Sequence, residues 1–209
     1  MTIYALKSRF QAILRPTVRR LFAAGVTANQ VTVTAWLVSV ALGLALTTAP
    51  RVWFAAIPLW MLLRMALNAV DGMLAREFGQ KSSLGAYLNE LSDVVSDAAL
   101  YLPFVFIAPF DWRPVGAVIF AAGLSEMTGV VGVMTGASRR YDGPMGKSDR
   151  AFVFSLLAIW VASTTALPAW AHWMMWAIAL LAALTAVNRV RNGLKELSAK
   201  AGATTPEVK

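Results

Sequence analysis

Apolar residues gather along this chain in long runs, and the polar breaks between them predict helices rather than strands. From Thr27 onward the runs cover residues 27–46, 53–78, 83–107, 114–135, 149–165 and 168–189. Thr27 or Asn29 caps the first run, and Pro50, Pro109 and Pro168 fall at breaks. Crossing ~30 Å of hydrocarbon takes ~20 helical residues, so each run reads as a spanning helix, the fifth being short. Ahead of them, Ile3, Leu6, Phe10, Ile13, Leu14, Val18 and Leu21 share one helical stripe, with Lys7, Arg9, Arg15, Arg19 and Arg20 mostly off it. Without the uninterrupted apolar core of a signal peptide, residues 1–24 read as an amphipathic helix in the membrane interface, kinked or restarted at Pro16. An ordinary cytosolic helix is the alternative. The expected fold is an all-α integral membrane protein, six transmembrane helices preceded by that interfacial helix. Residues 1–197 form its single domain, and residues 198–209, small and polar, form a disordered cytoplasmic tail.

Composition agrees with a lipid-embedded chain: 58% of the 209 residues are hydrophobic, 14% are charged, and eight are Trp. Trp53, Trp112 and Trp170 lie near span ends, as interfacial anchors do. The net charge of +8 comes from cations at the ends of apolar runs. That placement suits anionic headgroups and a negatively charged substrate, not nucleic acid. The N-terminal segment, the 2–3 and 4–5 loops and the tail carry nearly all the Lys and Arg, while Arg51 and Arg113 face the other side. By the positive-inside rule both termini are cytoplasmic. With no Cys and the one His, His172, far from any acid cluster, the chain holds no thiolate or zinc site.

One stretch breaks the apolar pattern. "NAVDGMLAREFGQKSSLGAYLNELSDVVSD", residues 68–97, places Asp71, Arg76, Glu90, Asp93 and Asp97 between two spans. Asp71 lies ~10 Å and Asn68 ~15 Å from the end of the second span, while Asn89 and Asp93 lie ~9 Å and ~15 Å into the third. Polar groups on antiparallel helices therefore meet at matching depths. Asn68 and Asp71 share one face at i, i+3; Asn89, Asp93 and Asp97 share another at i, i+4. Converging carboxylates in a membrane need a counter-cation, and an all-oxygen donor set suits Mg²⁺, Mn²⁺ or Ca²⁺. Polar residues satisfying one another in a wet cleft are the plainer reading. Gly72, Ala75 and Gly85 keep the adjoining surface low, which suits close helix packing or a flat ligand. Arg76 adds a donor fork matched to phosphate oxygens.

These residues resemble the CDP-alcohol phosphatidyltransferases, which carry D-x2-D-G-x2-A-R-x8-G-x3-D-x3-D across their second and third spans. Asp71-Gly72, Ala75-Arg76, Gly85 and Asp93 fall in register with it. The likeness extends to the interfacial helix, the six spans and a basic "GK" segment, and is strongest to a bacterial branch whose acceptor the sequence does not name. It implies an enzyme of the bacterial inner membrane, a homodimer, that moves a phosphatidyl group from CDP-diacylglycerol to an acceptor alcohol and releases CMP. It further implies a divalent cation, Mg²⁺ or Mn²⁺, at Asp71 and Asp93, with Asp93 as the base. Asp71, Gly72, Ala75, Arg76 and Gly85 would hold the nucleotide.

Two positions depart from the motif: Asn68 and Asn89 stand where the family has aspartates. Their carbonyls still ligate a hard cation, without charge, which predicts weaker binding or one metal. Asp97, one turn beyond Asp93, is the candidate to restore a charge, ahead of Glu90. In "SRRYDGPMGKSDRAF", the resemblance implies that Lys147 and Arg150, with Arg139 or Arg140, face the acceptor; positive-inside anchoring accounts for each one equally well. Arg64 and Glu126 sit within spans and either pair with each other or buttress the site. Asp142 and Asp149 read as loop and helix-cap acids. A non-catalytic relative that binds nucleotide or lipid is the chief alternative, and a transporter is a weaker one, since no polar path continues past the cluster.

Overall fold

The computed structural model describes the backbone of residues 3–203 and the side chains of residues 10–202. Among these residues there are seven α-helices and no strand: α1 (Ile3–Ala23), α2 (Ala28–Leu46), α3 (Ala56–Glu77), α4 (Ser83–Tyr101), α5 (Trp112–Met134), α6 (Lys147–Ser163) and α7 (His172–Ala203). Local chemistry sets the boundaries. Thr27 caps α2 in a capping box with Gln30, and Ser82 caps α4 by accepting from the Gly85 amide at 3.0 Å. Asp111 caps α5, and the Asp149 carboxylate accepts from the Gly146 amide at the start of α6.

Two ends differ from the sequence reading. The third run, expected to 107, leaves the α-helix at Tyr101 and continues as a 3-10 turn, Leu102–Phe106. Pro103 has no N–H to donate to the ladder there. The last helix, expected to 189, continues to Ala203, past the boundary drawn at 197. No proline interrupts it before Pro206, and the α5–α6 connection holds it: Ser138 donates to Glu196 through backbone and hydroxyl at 3.0 and 2.7 Å, and Lys200 donates to the Gly136 carbonyl at 3.0 Å. Residues 204–209 of the expected tail lie outside the described residues.

Four helical segments are long and apolar enough to cross a membrane: Ala28–Leu46, Arg51–Glu77, Trp112–Met134 and Ala169–Gly202. The other two expected spans differ for visible reasons. α4 carries Glu90, Asp93 and Asp97, and α6 has 17 residues. α1 is a single helix with Pro16 inside it. Its Leu14, Val18 and Leu21 pack on Val31 of α2 and on Val70 and Leu74 of α3, while Phe10 and Ile13 remain exposed. The expected stripe residues Ile3 and Leu6 lie outside the described side chains.

The core lies toward the end of the bundle away from the α3–α4 connection. There Tyr101 stacks on Phe154 at 3.8 Å, and Phe104 meets Phe54 and Phe154 edge-on at 5.2 Å. α5 packs along α7, α6 along α3, and α2 against both α3 and α4. The α2–α4 contact is backbone-close, because a Cβ on Gly43 would lie 2.1 Å from the Ala99 carbonyl oxygen. Gly43→Ala therefore forces the helices apart and is expected to lower stability by ~1–3 kcal/mol. The midpoint of thermal unfolding in detergent reads this directly; an unchanged midpoint would mean the two helices separate without cost.

Candidate active site

α2, α3, α4 and the 3–4 connection enclose a cavity of about 440 Å³. Asp71, Gly72, Ala75, Arg76, Gly85 and Asn89 all line it, so the expected nucleotide set converges on one space. The glycines let neighbouring side chains close in there. A Cβ on Gly72 would sit 2.8 Å from the Arg76 guanidinium, and one on Gly85 would sit 2.8 Å from Asn29 Oδ1. Asp71 is 8% exposed and its Oδ2 accepts from the Thr32 hydroxyl at 2.7 Å. Among the described residues no Lys or Arg lies within ion-pair distance of Asp71, and no carboxylate lies within that distance of Arg76. A buried carboxylate and a guanidinium thus face the same cavity, neither in a direct ion pair.

A second cavity, about 390 Å³, adjoins on the other side, lined by Arg64, Asn68, Tyr141, Lys147 and Ser148 with apolar walls such as Met61. Asp93 contacts the polar wall of the second. Its Oδ2 is 2.5 Å from Lys147 Nζ, and its Oδ1 accepts from Asn68 and Arg64 at 3.3 Å. Asn89, one turn before it on α4, lines the first cavity.

Behind Asp93 the charges form a buried network. Asp97, 5% exposed, accepts from Arg64 at 2.6 Å and from Arg150 at 3.0 Å. Arg150, fully buried, also reaches Glu126 at 3.0 Å, as do Arg189 at 3.2 Å and Arg139 at 3.5 Å. Arg139 is closer to Glu90, at 2.7 Å. Arg140 pairs with Asp142 at 2.8 Å and Glu196 at 3.4 Å. Burial raises the Asp142 carboxyl, but hydrogen bonds from Asn192 and Arg140 outweigh it and hold the group below its ordinary range.

The expected site residues thus divide. Asp71, Gly72, Ala75, Arg76, Gly85 and Asn89 share the first cavity, and Asn68 and Lys147 line the second. Asp97, expected as a replacement ligand, is instead enclosed by two arginines; Arg150, Arg139 and Arg140, expected to face an acceptor, are each engaged by carboxylates. Arg64 and Glu126 do not pair with each other; each serves this network. Thr32 and Asn29 on α2 and Arg189 on α7 were not singled out from sequence. Only Thr32 offered a signal, one turn after the start of α2 on the face that carries Ala28.

The oxygen donors Asp71, Asp93, Asn68 and Asn89 suit a hard divalent cation by type, and Asp71 has no protein counter-charge. Only two of the four are carboxylates, and no group of three or more acids or imidazoles in metal-binding arrangement occurs among the described residues.

The family model described as CDP-alcohol phosphatidyltransferase matches residues 25–199. The chain belongs to the CDP-alcohol phosphatidyltransferase family. The "Inner membrane protein YnbA" of Escherichia coli K12 is 43% identical over 198 residues, spanning 93% of this chain and 97% of that one. With the four span-length helices, that likeness makes the chain an integral membrane protein. A phosphatidylinositol phosphate synthase of Cutibacterium acnes is 26% identical over 85% of this chain and 90% of its own length. In fold, the chain is similar to the Mycobacterium tuberculosis phosphatidylinositol phosphate synthase PgsA1. The structure of that enzyme with CDP-DAG bound aligns with a TM-score of 0.71 at 23% identity, over 87% of this chain and 94% of that one. Its complex with manganese and citrate aligns at 0.70, over 86% and 88%.

Proposed function

We propose that this family member transfers a phosphatidyl group from a CDP-linked lipid, CDP-diacylglycerol, to an acceptor hydroxyl and releases CMP. The observation that carries the reading is the first cavity, where Asp71 and Arg76 face one space, neither in a direct ion pair, and Gly72, Ala75 and Gly85 leave room for a nucleotide. Arg76 binds diphosphate oxygens through its donor fork. The Asp93 carboxylate, in contact with Lys147 and Arg64, accepts the acceptor's hydroxyl proton. The freed oxygen attacks the β-phosphorus, the bond from that phosphorus to its bridging oxygen breaks, and CMP leaves with the bridging oxygen. A divalent cation, Mg²⁺ or Mn²⁺, held by oxygens of Asp71, Asp93, Asn68 and Asn89, would screen the diphosphate charge.

The same reading assigns six spans, adding α4 and α6 to the four span-length segments. Glu90, Asp93 and Asp97 of α4 and Lys147 and Arg150 of α6 pair within the charge network, and exposed Leu91, Val95, Phe152 and Ile159 supply apolar outer faces. α1 lies in the interface, its Phe10 and Ile13 exposed to lipid. Both termini are cytoplasmic by the distribution of Lys and Arg, and a homodimer follows from the family resemblance. Purified protein should release CMP from labelled CDP-diacylglycerol, lose that activity in EDTA and regain it with Mg²⁺ or Mn²⁺. Full activity in EDTA would remove the cation, and no CMP release with any acceptor would favour a non-catalytic relative.

A further inference from the structure

Resting on the transferase reading, we infer that the acceptor is an uncharged hydroxyl compound, not a phosphorylated one, because the cations that line the second cavity and those buried behind it are already held by Asp93, Asp97 and Glu126. The two cavities differ in what their cations are doing. In the first, Arg76 has no carboxylate partner among the described residues, as a phosphate site requires. The two cations that line the second are both paired: Lys147 is 2.5 Å from Asp93, and Arg64 divides between Asp97 and Asp93. Behind them Arg150 and Arg189 converge on Glu126 from α6 and α7, and Arg139 reaches it from the α5–α6 connection. Glu126 is 7% exposed, so this arrangement is a buried internal anion with its counter-ions, not a surface ion pair.

A phosphate monoester entering this cavity would have to break one of these pairs, leaving a buried carboxylate unmatched, or go without a counter-charge. An alcohol has no such requirement. Asn68, Tyr141 and Ser148 offer amide and hydroxyl groups that bond hydroxyls, and Met61, Met65 and Ala69 supply apolar wall. Asp93 stands at the edge of that space, in contact with Asn68 and Lys147, to take the proton.

The test pairs each acceptor with its phosphorylated form, glycerol with glycerol 3-phosphate and inositol with inositol phosphate, in CMP release from labelled CDP-diacylglycerol. The uncharged partner should have the higher kcat/KM by at least ~10-fold. A preference for the phosphorylated partner overturns the inference. A second arm needs no turnover: calorimetric titration of glycerol 3-phosphate into the wild-type protein saturated with CDP, which fills the first cavity. No saturable binding up to ~10 mM supports the inference, and a Kd below ~1 mM overturns it. Absence of transfer to any acceptor would defeat the transferase reading alone and leave this arm to decide. Glu126→Gln, which frees the arginines while keeping shape, should gain glycerol 3-phosphate binding at least ~10-fold; a folded variant that gains none counts against Glu126 as the occupying anion.

Discussion

Alanine at Asp71 or Asp93 lowers CMP release at least ~10³-fold, corresponding to about 4 kcal/mol on the barrier. The two losses have different origins, and stability separates them. Asp71 has no ion-pair partner among the described residues, and its contacts are the Thr32 hydroxyl and the cavity. Its removal therefore leaves no cation stranded, and the unfolding midpoint should hold or rise. Asp93 supports Lys147 as well as the chemistry, so its removal costs a counter-ion while Arg64 keeps Asp97. Measuring CMP release and the detergent unfolding midpoint for both variants tests the assignment. A folded Asp71→Ala or Asp93→Ala protein within tenfold of wild-type activity would reject the residue's role.

Asp97→Ala is expected to act through the fold instead. It removes the shortest carboxylate contact of Arg64 and one of the two carboxylates on Arg150, both buried, and breaking a buried pair costs ~3–5 kcal/mol. Little folded protein should survive extraction. Asp97→Asn keeps one acceptor oxygen and gives the sharper measurement. Its unfolding midpoint should fall, while a metal titration of its remaining CMP release should superimpose on the wild-type curve. A rise in the cation concentration needed for half-maximal release would return Asp97 to the ligand set.

The nucleotide face was legible because it depends on spacing within two helices. Asp71, Gly72, Ala75 and Arg76 on one, and Gly85 and Asn89 on the other, reach one cavity through 3.6-residue periodicity alone. Helix starts were legible where a side chain caps, as at Thr27. The arginines were not. Arg150 and Asp97 are 53 residues apart, Arg189 and Glu126 63 apart, and nothing periodic links such pairs. Each arginine was already accounted for by topology, which hid its second use. The intramembrane positions of Arg64 and Glu126 announced a buried network without naming its members. The length of α7 was hidden for a related reason: its polar end stays helical through Glu196 and Lys200, contacts with a loop about sixty residues earlier.

Lys147 and Arg150 stand one turn apart on α6, and they hold Asp93 and Asp97, one turn apart on α4. Two matched contacts at this spacing fix a register: rotating α6 by one residue, ~100°, or sliding it by a turn, ~5.4 Å, would break both at once. The two contacts therefore tie α6 to α4 at a single register, and the carboxylate assigned as base sits on that frame. Tyr141, in the α5–α6 connection, lines the second cavity from outside it, and Gly143 nearby has a φ of +138°.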